Sequence, residues 1–270
     1  MTSSSKPPEF VLFGASLTEW SFSEKTEGFG WFLECKYSGL ANIVNEGQAG
    51  YTSSSLQSDF DRIITRATAP NAAPTLLFTI FVGANDACMI GDTEYVPWAK
   101  FEANIRAFVE TILTQDAMSQ TKIVLITPPP ISGPSPAKKA GMTEEEVEDA
   151  NFWKKEGPRY KTYMSKKRYA EGMMRIASEY EETGRVVGLD FWHALVAAGL
   201  NESESGDADG NAGEYDEDMP PGCGLIGAKQ FGKGWFTDGL HLDVKGYNVL
   251  SKTLFERITS QWPELAPERL

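Results

Sequence analysis

Short runs of branched and aromatic residues punctuate the chain at Phe10 to Phe13, Asn42 to Val44, Leu76 to Val82, Ile123 to Ile126 and Val186 to Leu189. Each has the length of a strand, and most lack the strict apolar/polar alternation of a sheet with one wet face. Strands covered on both faces read this way. Between them the apolar positions change period. Ile63, Ile64 and Ala67, then Phe101, Ile105, Phe108 and Ile112, then Val249, Leu250, Leu254 and Ile258 recur at the three-to-four spacing of a helix face. Strand and helix alternate, which predicts an α/β fold. The expected form is a three-layer α/β/α sandwich on a flavodoxin-like, parallel, five-stranded sheet.

Two segments break the alternation and are expected outside the core. The first is proline-rich, Thr127 to Pro136, and leads into a charged helical stretch from about Thr143 to Glu182. The second, 201–224, is crowded with Asp, Glu and Gly and reads as an acidic surface loop. Residues 1–8 read as a flexible N-terminus. No internal repeat divides the 270 residues, so one domain over 1–270 is expected.

Charge narrows the function. A formal net charge of -13 leaves no basic stripe to release counterions from a phosphate backbone, which argues against nucleic acid as a partner. Lys6 is followed by no apolar leader, and no window approaches the length of a membrane span. A soluble, cytoplasmic protein without stable membrane insertion is expected; self-association through the acidic surface is left open. Cys35, Cys88 and Cys223 are odd in number and far apart, with no CxxC pair, and read as buried free thiols.

The chemistry begins where the first apolar run, Glu9 to Phe13, meets Gly14-Ala15-Ser16-Leu17-Thr18. A serine at a sharp turn from strand to helix presents its hydroxyl and has backbone amides beside it. That hydroxyl needs a base, and the chain has two histidines. His241 follows Asp238 by three residues, close enough for the carboxylate to bond the far ring nitrogen and fix the tautomer. His193, within Phe191-Trp192-His193-Ala194-Leu195, reads as a satisfied structural histidine on a helix. Acyl transfer also needs donors for an oxyanion, and Gly47 and Asn85 each follow a predicted strand. Ser16, Gly47 and Asn85 thus fall together at the carboxyl ends of parallel strands, where open α/β sheets bind ligands.

These residues resemble the GDSL-type, or SGNH, hydrolases. Phe13-Gly-Ala-Ser-Leu-Thr-Glu19 is similar to the family's first block and Asn45-Glu-Gly-Gln-Ala-Gly-Tyr51 to the second. Phe81-Val-Gly-Ala-Asn-Asp-Ala87 is similar to the third and Asp238-Gly-Leu-His241 to the last. The resemblance implies Ser16 as nucleophile, Asp238 and His241 completing a triad, and the Ser16 amide, Gly47 and Asn85 as the oxyanion hole. It implies no cofactor and no metal. The Gly-Ala-Asn-Asp-Ala run, Thr127-Pro-Pro-Pro130 and the ending through Gly246-Tyr247 are most similar to the isoamyl acetate-hydrolysing esterase branch. One departure stands out: Ala15 occupies the place of the family's aspartate, which predicts a less braced turn and altered activity.

The expected function is hydrolysis of small carboxylic esters, acetate or short-chain, through an acyl-serine. Trp20, Phe22, Trp235 and Phe236 flank the catalytic blocks as candidates for an apolar pocket. A non-catalytic binding descendant and an acyltransferase using an alcohol acceptor are the alternatives.

Overall fold

The computed structural model describes residues 6–202 and 215–270. Five strands, β1 (Glu9–Gly14), β2 (Asn42–Gly47), β3 (Thr75–Phe81), β4 (Lys122–Ile126) and β5 (Val186–Leu189), form one parallel sheet in the order β2-β1-β3-β4-β5. That is the flavodoxin-like order, with the chain reversing direction across the sheet at β1 and β3. Eight helices alternate with the strands among the described residues: α1 (Ser16–Glu19), α2 (Phe29–Lys36), α3 (Gln57–Ala67), α4 (Trp98–Thr114), α5 (Glu144–Lys155), α6 (Pro158–Glu179), α7 (Phe191–Glu202) and α8 (Val244–Gln261).

The pleat sorts each strand onto two cores. Phe10 and Leu12 of β1 join Val124, Ile126, Val187 and Leu189 on the face that α2, α7 and α8 cover. Val11 and Phe13 join Phe78, Ile80, Ile123 and Leu125 on the face that α3 and α4 cover. Successive residues therefore bury on opposite sides, which is why the strands read as unbroken apolar runs.

Three expectations need correction. The charged stretch from Thr143 to Glu182 is two helices, separated at Glu156 and Gly157; α5 is largely exposed, as expected, but α6 does not lie outside the core. Along α6, Tyr163, Ala170, Met173, Ile176 and Ala177 are buried, because an apolar stripe runs beneath its lysines and arginines. The proline-rich segment is buried from Thr127 to Pro130. Its Ser132 N–H donates to the Gly239 carbonyl at 2.7 Å, and Gly133 N–H to the Gly222 carbonyl at 2.8 Å. Finally, Cys223 is buried but Cys88 is half-buried and Cys35 is exposed. Cys35 falls off the row of Phe29, Gly30 and Leu33 that α2 turns inward.

Of the acidic stretch 201–224, residues 203–214 lie outside the described residues, as do 1–5. Within its described end, Asp216 to Asp218 are exposed, whereas Pro220 to Cys223 are buried. Pro8 accepts a hydrogen bond from Asn42 N–H at 2.8 Å, extending the pairing of β1 with β2. No helix among the described residues is long and apolar enough to cross a membrane.

Candidate active site

β1 delivers Ser16 directly: the strand ends at Gly14, Ala15 turns, and Ser16 opens the short α1. The turn is held by its own backbone, with Thr18 N–H and Glu19 N–H both donating to the Ala15 carbonyl at 3.0 and 2.9 Å. Ala15 caps α1 without a side-chain bond, and the buried Thr18 hydroxyl has no hydrogen-bond partner beside it. The missing carboxylate at position 15 thus leaves backbone bonds as the turn's own brace.

Ser16 Oγ lies 3.0 Å from His241 Nε2, although the two residues are 225 positions apart. On the other side of the ring, His241 Nδ1 lies 2.6 Å from Asp238 Oδ2. Asp238 Oδ1 accepts the His241 and Leu240 N–H groups at 2.8 and 2.9 Å. Burial alone pushes the Asp238 carboxyl up, but the His241 backbone N–H, the ring and the Leu240 N–H outweigh it and hold the carboxyl below its usual value. An ionised Asp238 at neutral pH therefore keeps Nδ1 protonated and leaves Nε2 free to accept from the serine.

The segment around the histidine is built to hold that geometry. Gly239 has φ +87°, and a Cβ there would meet the Ser132 carbonyl at 2.4 Å, so the buried proline-rich segment fits only against glycine. Phe236 and Leu242 form an antiparallel bridge around the loop. Asp243 caps α8 through Val244 N–H at 2.8 Å, and Tyr247 Oη donates to the Leu17 carbonyl at 3.0 Å, tying α8 to the serine turn.

Gly47 is the last residue of β2 and pairs in register with Gly14. A Cβ on it would come within 2.2 Å of Glu19 N, so only glycine lets the second block lie against α1. The buried Glu46 beside it anchors the strand end to Arg62 and Arg66 of α3, at 2.7 and 2.5 Å. Gly47 N–H is donated to Asn45 Oδ1 at 3.0 Å. Asn85 follows β3 in a loop that turns at Gly83, φ +107°, and one of its amide hydrogens goes to the Tyr51 carbonyl at 2.8 Å. Among the described residues the other side-chain N–H of Asn85 has no partner.

The Trp20 ring lies against the histidine, tilted by 50° with ring centroids 4.3 Å apart. A cavity of about 360 Å³ lies beside them, lined by Trp20, Phe22, Thr26, His241, Leu242 and Tyr247 among others. Two of the four aromatics expected at a pocket are thus in place. Trp235 is instead buried in the core and Phe236 packs against it. Among the described residues no cluster of His, Cys, Asp and Glu is arranged to hold a metal.

The sequence of residues 10–254 matches the family of GDSL-like lipases and acylhydrolases. The chain belongs to that family. A GDSL esterase/lipase of Arabidopsis thaliana is 26% identical over 97% of this chain and 89% of its own length. The isoamyl acetate-hydrolyzing esterase of Saccharomyces cerevisiae is 23% identical over 97% of this chain and 90% of its own. Among solved structures, a catalytic mutant of an acetylxylan esterase from Geobacillus stearothermophilus superposes with a TM-score of 0.57 at 17% identity, covering 94% of this chain and 96% of that one. That last likeness establishes the shared fold. This GDSL hydrolase is a carboxylic ester hydrolase.

Sequence reasoning missed several parts of the esterase's site. The sequence marks Trp20 as pocket lining, not as the ring packed against His241. The supporting contacts from Ser132, Tyr51 and Tyr247 join residues far apart in the chain, and no local signal announces them. The proline-rich run was the one visible cue to the first of these.

Proposed function

We propose that this esterase hydrolyses small carboxylic esters, acetate or short-chain acyl, through an acyl-serine intermediate. The observation that carries the reading is the relay from Ser16 Oγ to His241 Nε2 at 3.0 Å and from Nδ1 to Asp238 at 2.6 Å. Ser16 Oγ attacks the ester carbonyl as His241 Nε2 takes its proton. The tetrahedral adduct collapses, its C–O bond breaks, and the alcohol leaves with the proton from His241. Water then repeats the attack, and the carboxylate is released with Ser16 restored.

The oxyanion is assigned to the Ser16 N–H, Asn85 Nδ2 and Gly47 N–H. Asn85 has a hydrogen to spare, whereas Gly47 joins only by exchanging its bond to Asn45 Oδ1. Asn85 is therefore the donor on which turnover depends most. Each donor of this kind lowers the barrier by about 2.7 to 4 kcal/mol.

Two observations favour a small, apolar alcohol portion: the cavity beside His241 with Trp20 and Phe22 in its wall, and the name of the yeast relative. The proton donor to the leaving alcohol lies in that same wall. Hydrolysis of isoamyl acetate and of p-nitrophenyl acetate, butyrate and octanoate by wild type and Ser16→Ala tests the reading. Activity that vanishes with Ser16 and falls with acyl length supports it. Activity surviving in Ser16→Ala, or none from a folded wild type, refutes it. Ala15→Asp in the same assay probes the turn: altered kcat is expected, and unchanged kinetics and melting temperature would remove Ala15 from the account.

A further inference from the structure

The loop after β3 that carries Asn85 is pinned from both flanks. On one flank Asp86, almost wholly buried, accepts Ser53 N–H at 2.8 Å, and Ser53 Oγ accepts from Asn104 Nδ2 of α4 at 2.9 Å. On the other, Lys166 reaches in from α6 and its ammonium donates to the Ala84 carbonyl. Lys166 is 2% exposed. Lysines are almost never buried this far without a partner, because desolvating an ammonium is costly. Burial pulls its pKa down to about 8 against the opposing pull of Cys88 and Asp86, the ionisable groups of the loop it faces. The proton relay from Asp238 to Ser16 makes no use of it, and the other buried lysine of α6, Lys167, is paired instead with Glu171 and Glu217.

The atom it bonds matters. The Ala84 carbonyl and the Asn85 N–H belong to one planar peptide unit. A cation on that oxygen fixes the peptide plane from which the Asn85 side chain departs, and with it the direction of Nδ2. Asn85 is thereby held between the Asp86 side chain, anchored on Ser53, and the Lys166 side chain, anchored on the Ala84 carbonyl. Preorganised donors are worth most where no rearrangement is needed as charge develops.

We propose that Lys166 is a positioning residue for ester hydrolysis, holding the Ala84–Asn85 peptide so that Asn85 Nδ2 meets the oxyanion already aligned. The proposal rests on the serine esterase reading with Asn85 as an oxyanion donor. A residue acting this way serves the transition state and leaves ground-state binding nearly untouched, so it belongs in kcat and not in KM.

The experiment measures kcat and KM on p-nitrophenyl acetate, with inhibition by phenylboronic acid, which adds to a serine as a tetrahedral anion. The proteins are wild type, Ser16→Ala, Asn85→Ala, Lys166→Met and the double variant Asn85→Ala with Lys166→Met. Lys166→Met is expected to lower kcat about 10- to 100-fold with KM within about twofold, and to weaken boronate inhibition in parallel. In the Asn85→Ala background the same substitution is expected to cost less than about threefold, since the group it acts through is gone. An equal loss in both backgrounds, or a folded Lys166→Met with wild-type kcat, overturns the proposal. Should Lys166→Met fail to fold, Lys166→Gln keeps an N–H donor without the charge; a kcat loss at constant KM supports the proposal and wild-type kcat overturns it. A wild type without esterase activity, or activity that survives in Ser16→Ala, sinks the serine esterase reading and this one with it. With wild type active through Ser16, the Lys166 variants bear on the lysine alone.

Discussion

The chain builds the same histidine clamp twice. Asp190 and His193, like Asp238 and His241, stand three residues apart; in each the carboxylate accepts the histidine's backbone N–H with one oxygen and faces Nδ1 with the other. The ring-to-carboxylate distances are 2.7 and 2.6 Å. What differs is the far side of the ring. His241 Nε2 meets Ser16 Oγ, the tilted Trp20 ring packs against it, and its side chain is 18% exposed. His193 has the Trp192 and Tyr215 rings near it, is 50% exposed, and no hydroxyl among the described residues is hydrogen-bonded to it. An Asp-x-x-His turn is thus a local structure that short-range geometry makes freely. It becomes a base only when a distant strand brings a nucleophile to its open nitrogen.

Breaking the two clamps should give opposite results. The largest effect is expected from Ser16→Ala and His241→Ala, each lowering kcat about 10⁴-fold or more, because nucleophile and base act as a unit; steady-state kinetics on p-nitrophenyl acetate checks this. Asp238→Asn should cost about 10² to 10⁴, since the ring loses the partner that sets its tautomer, and a pH–rate profile should show the wild-type activity advantage fading as acid protonates Asp238. Asp238 has a lowered folded value, so whatever it adds to stability is present above its unfolded pKa and lost as pH falls. Asn85→Ala should cost about 10²- to 10³-fold in kcat with little change in KM.

Smaller effects sharpen the contrast. Lys166 carries a folded value of about 8 against 10.5 for the free side chain. Between those values the unfolded chain binds more protons than the folded one, so this residue's contribution to stability rises with pH across that window. The stability of wild type relative to Lys166→Met should therefore climb by on the order of 3 kcal/mol over that range, read from urea midpoints. Taking the difference matters, because buried Tyr163 and Tyr247, whose hydroxyls are pushed up by burial, pull the total the other way at alkaline pH. The smallest effect belongs to the second clamp. His193→Ala should leave kcat within about twofold and stability within about 1 kcal/mol, measured by the same assay and by thermal melting.

The parts of this fold that were legible in sequence are those fixed by short-range rules. The five strands announced themselves because both faces of the sheet are covered, and Ser16, Asp238 and His241 because few residue types can do their work. Lys166 was invisible for the converse reason: a lysine reads as solvent-facing unless one knows what carbonyl awaits it. The buried stripe of α6 was masked by the charges on its outer face, and Thr127 to Pro136 looked like a surface linker although it wedges against Gly239. The engagement of Gly47 N–H by Asn45 also escaped, since a side chain folding back two residues leaves no periodic trace.

The Ser16 to His241 bond has a temporal consequence as well. Tyr37 Oη to the Leu265 carbonyl and Tyr247 Oη to the Leu17 carbonyl close over similar spans, more than 200 residues each. Contacts of such separation form late, because loop closure must be overcome before they return anything. During synthesis Ser16 precedes His241 by 225 residues, so a chain still short of His241 holds the serine without its ring partner. On the proposed reading, the onset of ester turnover reports that the segment carrying His241 has docked against β1, making it a folding clock for that closure.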